Sequence, residues 1–343
     1  MQDEAVQVQE WLKSGHRVAF ARVINRVGFS GDTELELLAS NEDGEVTGDL
    51  LAGTVADAMT AALRQALDDP AAGPQVLAAK VELEEAVDAG LSCGGLAHVL
   101  VQRADEVAGE FWSALSAQRS AVLATGIVGP VAETGSIVVV PDQAPLGSLG
   151  SADVDAAVAD LAAKLLAGGL KSRVMLESNS GTVVVEAFIP PPHLIIAGQG
   201  AVADAVVAQA QLLGWAARVA TDTAEVDAAL EWAGAAGAVV VLSHDEVFGP
   251  DVLYAALVGG PFYIGAMGSR RTQAERASRL TWLGLSQADL KRIHGPVGLD
   301  LGGSSPSEVA LAICAEVLAV RTGRLATSLR ATQGAIRDRQ SLE

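Results

Sequence analysis

The chain has 343 residues, 50% of them hydrophobic and 19% charged, enough apolar material for buried cores and, at roughly 150 residues per domain, length for about two of them. Its 42 acidic against 23 basic residues give a formal charge of −19, which repels phosphate backbones and anionic headgroups and argues against nucleic acid or a membrane surface as partner. Two cysteines, Cys93 and Cys314, are too few for a disulfide framework or for the thiolates of an iron–sulfur cluster. The acidic start Met-Gln-Asp-Glu-Ala-Val lacks the basic and apolar regions of a secretory signal, and no uncharged run reaches the ~18 residues of a membrane helix, so a cytoplasmic location is expected.

Apolar spacing predicts a helix over 5–14, a strand over 17–26 and a hairpin about the turn Asn41-Glu42-Asp43-Gly44. A helix over 55–67 and strands over 76–81 and 96–102 follow, the last entered through a glycine pair. Residues 141–151, rich in Pro, Gly and Ser, read as a loop before an amphipathic stretch at 153–166. A strand over 182–189 then meets Pro190-Pro191-Pro192, three residues that cannot donate to a ladder or continue a helix. The expected organisation is an α+β domain over 1–190, a second domain over 191–330 and a tail over 331–343. No internal repeat at a period of 20–50 residues is visible.

Beyond the prolines, strands over 194–197, 217–220, 238–242 and 262–266 alternate with helices over 201–213, 224–233 and 250–257. This alternation predicts a Rossmann-like, doubly wound parallel sheet, so the fold class is α/β with an N-terminal α+β domain. The last helix has a marked start in Ser305 as N-cap, Pro306 at the first helical position and Glu308 three residues after the cap, with Gly323 as its stop.

The first of these strands runs into Gly198-Gln199-Gly200-Ala201-Val202-Ala203, a G-x-G-x-x-A at a helix start, with Asp222 at the end of the next strand. Gly198 permits the tight turn, Gly200 lets a pyrophosphate approach the backbone, Ala203 allows close helix packing, and Asp222 can accept from a ribose hydroxyl. A glycine turn that binds nothing is the alternative. Two more loops follow strand ends, Ser243-His244-Asp245 and Gly268-Ser269-Arg270-Arg271. Residues 264–292 hold six basic side chains against two acidic ones, which suggests an anion pocket, while a solvated helix face is an equal alternative for Arg276 and Arg279.

The amides at the start of the last helix, reached through Gly298-Leu299-Asp300 and Gly302-Gly303-Ser304-Ser305, can also face a ligand, with Asp300 as a loop anchor. His244 beside Asp245 offers an acid/base pair, but neighbouring side chains on an extended strand end diverge, which favours a loop-structural role; His294 reads as a cap or surface residue. No catalytic residue is assigned. Leu91-Ser92-Cys93-Gly94-Gly95 is a small-residue turn in which Cys93 either meets a cofactor or is simply a turn residue, and Cys314 reads as core. Without a clustered His set no metal site is expected.

Together, Phe262-Tyr263-Ile264-Gly265-Ala266-Met267-Gly268-Ser269-Arg270-Arg271, Leu283-Gly284-Leu285, residues 293–302 and Ser305-Pro306-Ser307-Glu308 resemble the C-terminal domain of the XdhC/CoxI family, the maturation proteins of xanthine dehydrogenase and carbon monoxide dehydrogenase. The segment 91–95 is similar to the family's G-L-x-C-G-G turn, and Gly28, Ser30, Gly44, Gly48 and Gly53 suit its N-terminal domain. The resemblance implies a homodimeric accessory protein that binds molybdenum cofactor and assists its sulfuration and insertion into a molybdenum hydroxylase client such as xanthine dehydrogenase. It implies cofactor-binding positions at Cys93, Gly94 and Gly95, and in the nucleotide-like fold at Gly198, Gly200, Ala203, Asp222, Ser269, Arg270 and Arg271. Residues 28–32 and 51–55 lack the family's Arg, Cys and Glu, and the glycine loop lacks a histidine after its second Gly, which marks a diverged paralogue. Two other classes stay open: an NAD(P)-binding oxidoreductase and a non-catalytic Rossmann interaction module. The cysteine count argues against xanthine dehydrogenase chemistry in the chain itself, so a maturation chaperone is expected rather than an enzyme.

Overall fold

The triple proline separates two units, Met1–Pro190 and Pro191–Glu343, in a computed structural model that describes residues 1–29, 35–69, 73–133, 135–169, 171–243, 245 and 247–331. Ser30, His244 and the tail from 332 onward lie outside the described residues.

The first unit begins with α1 (Gln2–Lys13), β1 (Val18–Val27), the hairpin of β2 (Leu38–Asn41) and β3 (Val46–Gly48), then α2 (Ala56–Asp68), β4 (Gln75–Val81), α3 (Leu83–Asp88) and β5 (Gly95–Arg103). It continues with α4 (Gly109–Ser116), β6 (Ala121–Val128), β7 (Ser136–Val139), β8 (Leu146–Gly147), α5 (Ala152–Ala167), β9 (Ser172–Ser178) and β10 (Gly181–Phe188). The strands form two antiparallel sheets, ordered β3-β2-β1-β5-β4 and β8-β7-β6-β10-β9. These are one topology used twice. In the first sheet Phe20 lies between Ala39 and Gln102; in the second Leu123 lies between Val138 and Glu186 at the corresponding places.

The irregularities recur as well. The β1–β5 ladder slips between Val23 and Asn25, leaving Ile24 as the extra residue, and the β6–β10 ladder slips between Gly126 and Val128, leaving Ile127. The first unit is therefore an internal structural duplication, which leaves the expectation of no repeat at 20–50 residues untouched. Its spacing is far longer than 20–50 residues, and most of the matched positions named here, such as Phe20 with Leu123, differ in residue identity.

Strand alternation then assigns the faces. Ala21, Val23 and Val101 pack on Met59 and Leu63 of α2, while Val122, Ala124 and Val185 pack on Val158 and Leu161 of α5. Phe20 and Leu123 share a core with Trp11 of α1 and Phe111 and Trp112 of α4. The duplicated pairs Ile24 with Ile127 and Leu100 with Val184 meet in one small cluster. Beside it sits a buried polar network in which Arg22 donates to Glu186, to Gln102 at 2.5 Å and to Thr125 at 3.3 Å, and Arg173 donates to Glu186 at 2.9 Å.

The second unit runs β11 (His193–Ala197), α6 (Ala201–Leu212), β12 (Ala216–Ala220), α7 (Thr223–Ala233), β13 (Gly237–Val241), α8 (Phe248–Gly259), β14 (Tyr263–Ala266), α9 (Arg270–Trp282), α10 (Gln287–Leu290), β15 (Ile293–His294) and α11 (Pro306–Arg321). All ladders are parallel and the order is β12-β11-β13-β14-β15. Leu194, Ile196 and Val240 face α6 and α11, and Ile195, Val239 and Val241 face α7 and α8, so both faces of the sheet are covered. The connections leaving β11 and β13 run to opposite faces. A crevice therefore opens between the carboxyl ends of these two strands, the switch point at which such sheets bind ligands.

Candidate functional site

Gly198 leaves β11 with φ +128°, its N–H donating to the Ala220 carbonyl at 2.9 Å. A Cβ there would stand 2.9 Å from the Ser243 nitrogen, so glycine is what lets the β11 and β13 ends close on each other. Gly200 is the N-cap of α6 at φ +108°, and no heavy atom lies within 4 Å of where its Cβ would be, so its backbone is open to an approaching group. Ala203, 1% exposed, packs α6 against the sheet. Next across the crevice, the Ser243 N–H donates to the Ala197 carbonyl at 3.2 Å, and the Met267 N–H donates to the Val241 carbonyl at 2.7 Å.

Ser269 caps α9, its Oγ accepting from the Thr272 N–H at 3.2 Å, with exposed Arg270 as the first helical residue. Arg271 turns along the helix, its Nε 2.9 Å from Glu275 Oε1. Arg276 is not on a solvated face: its guanidinium is buried and donates to the Met267 carbonyl at 2.5 Å and the Ser243 carbonyl at 2.9 Å. Arg279 does face solvent, 3.8 Å from Asp251. Arg276 follows Gln273 by three residues and precedes the buried Leu280 by four, a helical stripe that marks it as inward-facing in the sequence itself.

The remaining candidates divide. Asp222 lies at the same sheet edge, but its Oδ1 accepts from the Glu225 N–H at 2.8 Å as the N-cap of α7. Asp245 accepts from the Val247 and Phe248 amides at 2.8 and 2.7 Å, and these bonds hold its carboxyl below the usual range and commit it to starting α8. The α11 terminus is self-capped, since Glu308 takes the Ser304 and Ser305 amides at 2.9 Å each; it is not the open anion site that its glycine-rich approach suggests. Glu316 was invisible in the sequence reading. It accepts from Tyr263 at 2.5 Å and from the Gly298 N–H at 2.8 Å and lies 3.4 Å from His294. Burial opposes its ionisation, but the bonds from His294, Tyr263 and Gly298 outweigh that and hold its carboxyl below the usual range. His294 is thus a partner of Glu316 and stacks on Tyr263.

Cys93, Gly94 and Gly95 belong to the first unit. The Cys93 thiol points at the Gly28 carbonyl, 3.2 Å away. A Cβ on Gly94 would lie 2.4 Å from the Val81 carbonyl oxygen and one on Gly95 2.3 Å from that of Val27, so both glycines answer to close backbone approach. A cleft in the same unit is lined by Gly53, Glu82, Glu84, Glu85 and Asp88, carboxylates that repel an anion. Cys314 is buried in α11 with its thiol pushed up to about 11 by burial. Among the described residues no group of three or more His, Cys, Asp or Glu is placed to hold a metal ion, and no helix is long and apolar enough to cross a membrane.

With this geometry in place, residues 194–317 match the family model for the XdhC Rossmann domain. The matched residues lie within the second unit, which is similar to an XdhC Rossmann domain. A 139-residue stretch is 33% identical to the molybdenum cofactor insertion chaperone PaoD of Escherichia coli (strain K12), over 39% of this chain and 42% of that relative. The match therefore spans less than half of PaoD. A crystal structure of a Bacillus halodurans protein named as a xanthine dehydrogenase aligns over 95% of this chain and 98% of its own, with TM-score 0.51 and 18% identity, a likeness of fold. The matched region carries Gly198, Gly200, Asp222, Ser269 and Arg270 at one edge of its sheet, Ala203 behind them, and Arg271 drawn aside by Glu275.

Proposed function

We propose that this protein is an accessory protein that binds molybdenum cofactor as its cargo and assists the cofactor's sulfuration and insertion into a molybdenum hydroxylase client such as xanthine dehydrogenase. The observation that carries the proposal is the switch point between β11 and β13, in a region that matches the XdhC Rossmann domain and a chain that shares a 139-residue similarity with an insertion chaperone. The cargo's phosphate suits this crevice because Gly200 leaves its backbone unobstructed at the start of the 12-residue α6, and Ser269 and Arg270 open the 13-residue α9 beside it. A ligand held by backbone amides and one exposed arginine is one that can also be released to a client.

Cys93, partly exposed in its glycine turn, is the thiol this reading assigns to sulfur handling. The working form is taken as a cytoplasmic homodimer, which light scattering of the full chain tests directly. An NAD(P)-linked oxidoreductase would use the same G-x-G-x-x-A crevice, and the exposed Asp222 is the feature that favours it, although that carboxylate is already engaged as a helix cap.

One experiment separates the two. The protein is isolated anaerobically and titrated in parallel with molybdenum cofactor and with NAD(P), by calorimetry and native mass spectrometry. Selective cofactor binding, with activation of a cofactor-free molybdenum hydroxylase, is the expected outcome. Selective NAD(P) binding would replace the proposal by the oxidoreductase, and binding of neither would leave the interaction module.

A further inference from the structure

Arg276 is 7% exposed, and among the described residues no carboxylate pairs with it. Its partners are two main-chain carbonyls, Met267 through Nη1 and Ser243 through Nη2, from the loops after β14 and β13, the latter flanking the crevice. Burial lowers its pKa, yet a guanidinium starts so far above neutrality that it stays charged. Gly249 and Gly268 lie against it: a Cβ on either would be in ordinary van der Waals contact, 3.5 Å from a guanidinium nitrogen. Ser243 is in turn bonded to Ala197, the residue before Gly198, so one side chain links the glycine loop to the start of α9.

Two physical consequences follow. A buried cation without an acidic partner is costly unless dipoles or an anion compensate it, and two carbonyls supply part of that compensation. In a planar trans peptide the carbonyl and the next N–H point in opposite directions, so drawing the Met267 oxygen toward Arg276 turns the Gly268 N–H away from it. The φ of +134° at Gly268 lets the chain take this course into the Ser269 cap.

We propose that Arg276 is the positioning residue of the crevice: it ties the β13 and β14 loops together and holds a positive charge, unneutralised by the protein, beneath the site of the cargo's anionic group. This rests on the reading that the crevice receives an anion.

The test is calorimetric titration of the full chain with inorganic pyrophosphate at low and raised ionic strength, for wild type, Arg276→Gln, Arg276→Lys and the surface control Arg279→Gln, with the melting temperature of each. Wild type binds. Arg276→Gln loses about tenfold or more in affinity and shows a shallower salt dependence, as expected for loss of a charged hydrogen-bonding group. Arg276→Lys keeps the wild-type salt dependence and more of the affinity than Arg276→Gln, because an ammonium retains the charge although it lacks the planar fork that reaches both carbonyls. Arg279→Gln changes little. The proposal is overturned if folded Arg276→Gln binds like wild type, if Arg279→Gln weakens binding equally, or if the Gln and Lys variants lose affinity together in step with their melting temperatures. Should Arg276→Gln not fold, the Lys variant decides: wild-type salt dependence supports the proposal and a shallower one in a folded protein overturns it. A wild type that binds no pyrophosphate removes the crevice reading itself, and this proposal with it.

Discussion

Adjacent arginines at the start of α9 face different fates. Arg271 is 2.9 Å from Glu275 one turn on, an exposed pair of small energetic value that nonetheless directs the guanidinium along the helix. Arg270, at the first helical position behind the Ser269 cap, has no such carboxylate among the described ion pairs. Their roles in anion binding should therefore differ, although the sequence presents them as one basic doublet. Arg270→Ala is expected to weaken pyrophosphate binding severalfold, while Arg271→Ala leaves it within about twofold. Equal losses in calorimetric titrations of the two variants would mean that only the general charge of the helix start matters.

At the scale of elements, Glu316 joins α11 to the loop after β15 and to the base of β14 through Gly298, His294 and Tyr263. Its pKa in the folded protein lies below the ordinary 4.5, so its stabilisation is fully present above that value and is lost as pH falls through the lowered one. Glu316→Gln should be less stable than wild type at neutral pH, and the gap should shrink on acidification below 4.5. Urea midpoints of both proteins across that range measure it. A gap independent of pH would show that the side chain's shape, not its charge, ties these elements.

What the sequence announced at this scale were elements with local signals. The triple proline, the glycine loop and the Ser305-Pro306-Glu308 start of α11 each encode their geometry within a few residues, and strands β11, β13 and β14 are uninterrupted apolar runs. Helix α9 was overlooked because its arginines dominate its composition and only Arg276 and Leu280 turn fully inward. The sequence offers Asp222 to a ribose hydroxyl while its first duty is capping, since the same carboxylate geometry serves a ribose hydroxyl and a helix N–H, whereas the loop-structural role expected of Asp245 is the one it has. Arg276 and Glu316 depend on partners 33 and 53 residues away, and no local pattern reveals those.

The largest feature hidden from the sequence is the duplication of the first unit, and its centre can be tested as a whole. Arg22 on β1 and Thr125 on β6 occupy matched register positions, as do Gln102 on β5 and Glu186 on β10, and all four meet in one buried network. The two halves thus join through a charge on one side and its counter-charge on the other, where a symmetric copy would have placed like beside like. Arg22 is 1% exposed and Glu186 0%, and Glu186 also pairs with Arg173 at 2.9 Å, so removing Glu186 strands two guanidinium charges whereas removing Arg22 leaves a Glu186–Arg173 pair. Glu186→Gln should destabilise the first unit by about 3–5 kcal/mol. Adding Arg22→Met to that variant should recover part of the loss, because one of the two stranded charges is then gone and the neutral amide can stay bonded to Arg173. Urea unfolding followed by fluorescence of the buried Trp112 measures both. If the double variant is as unstable as the sum of the single ones, the network acts as separate bonds, and the halves are joined by their apolar contacts alone.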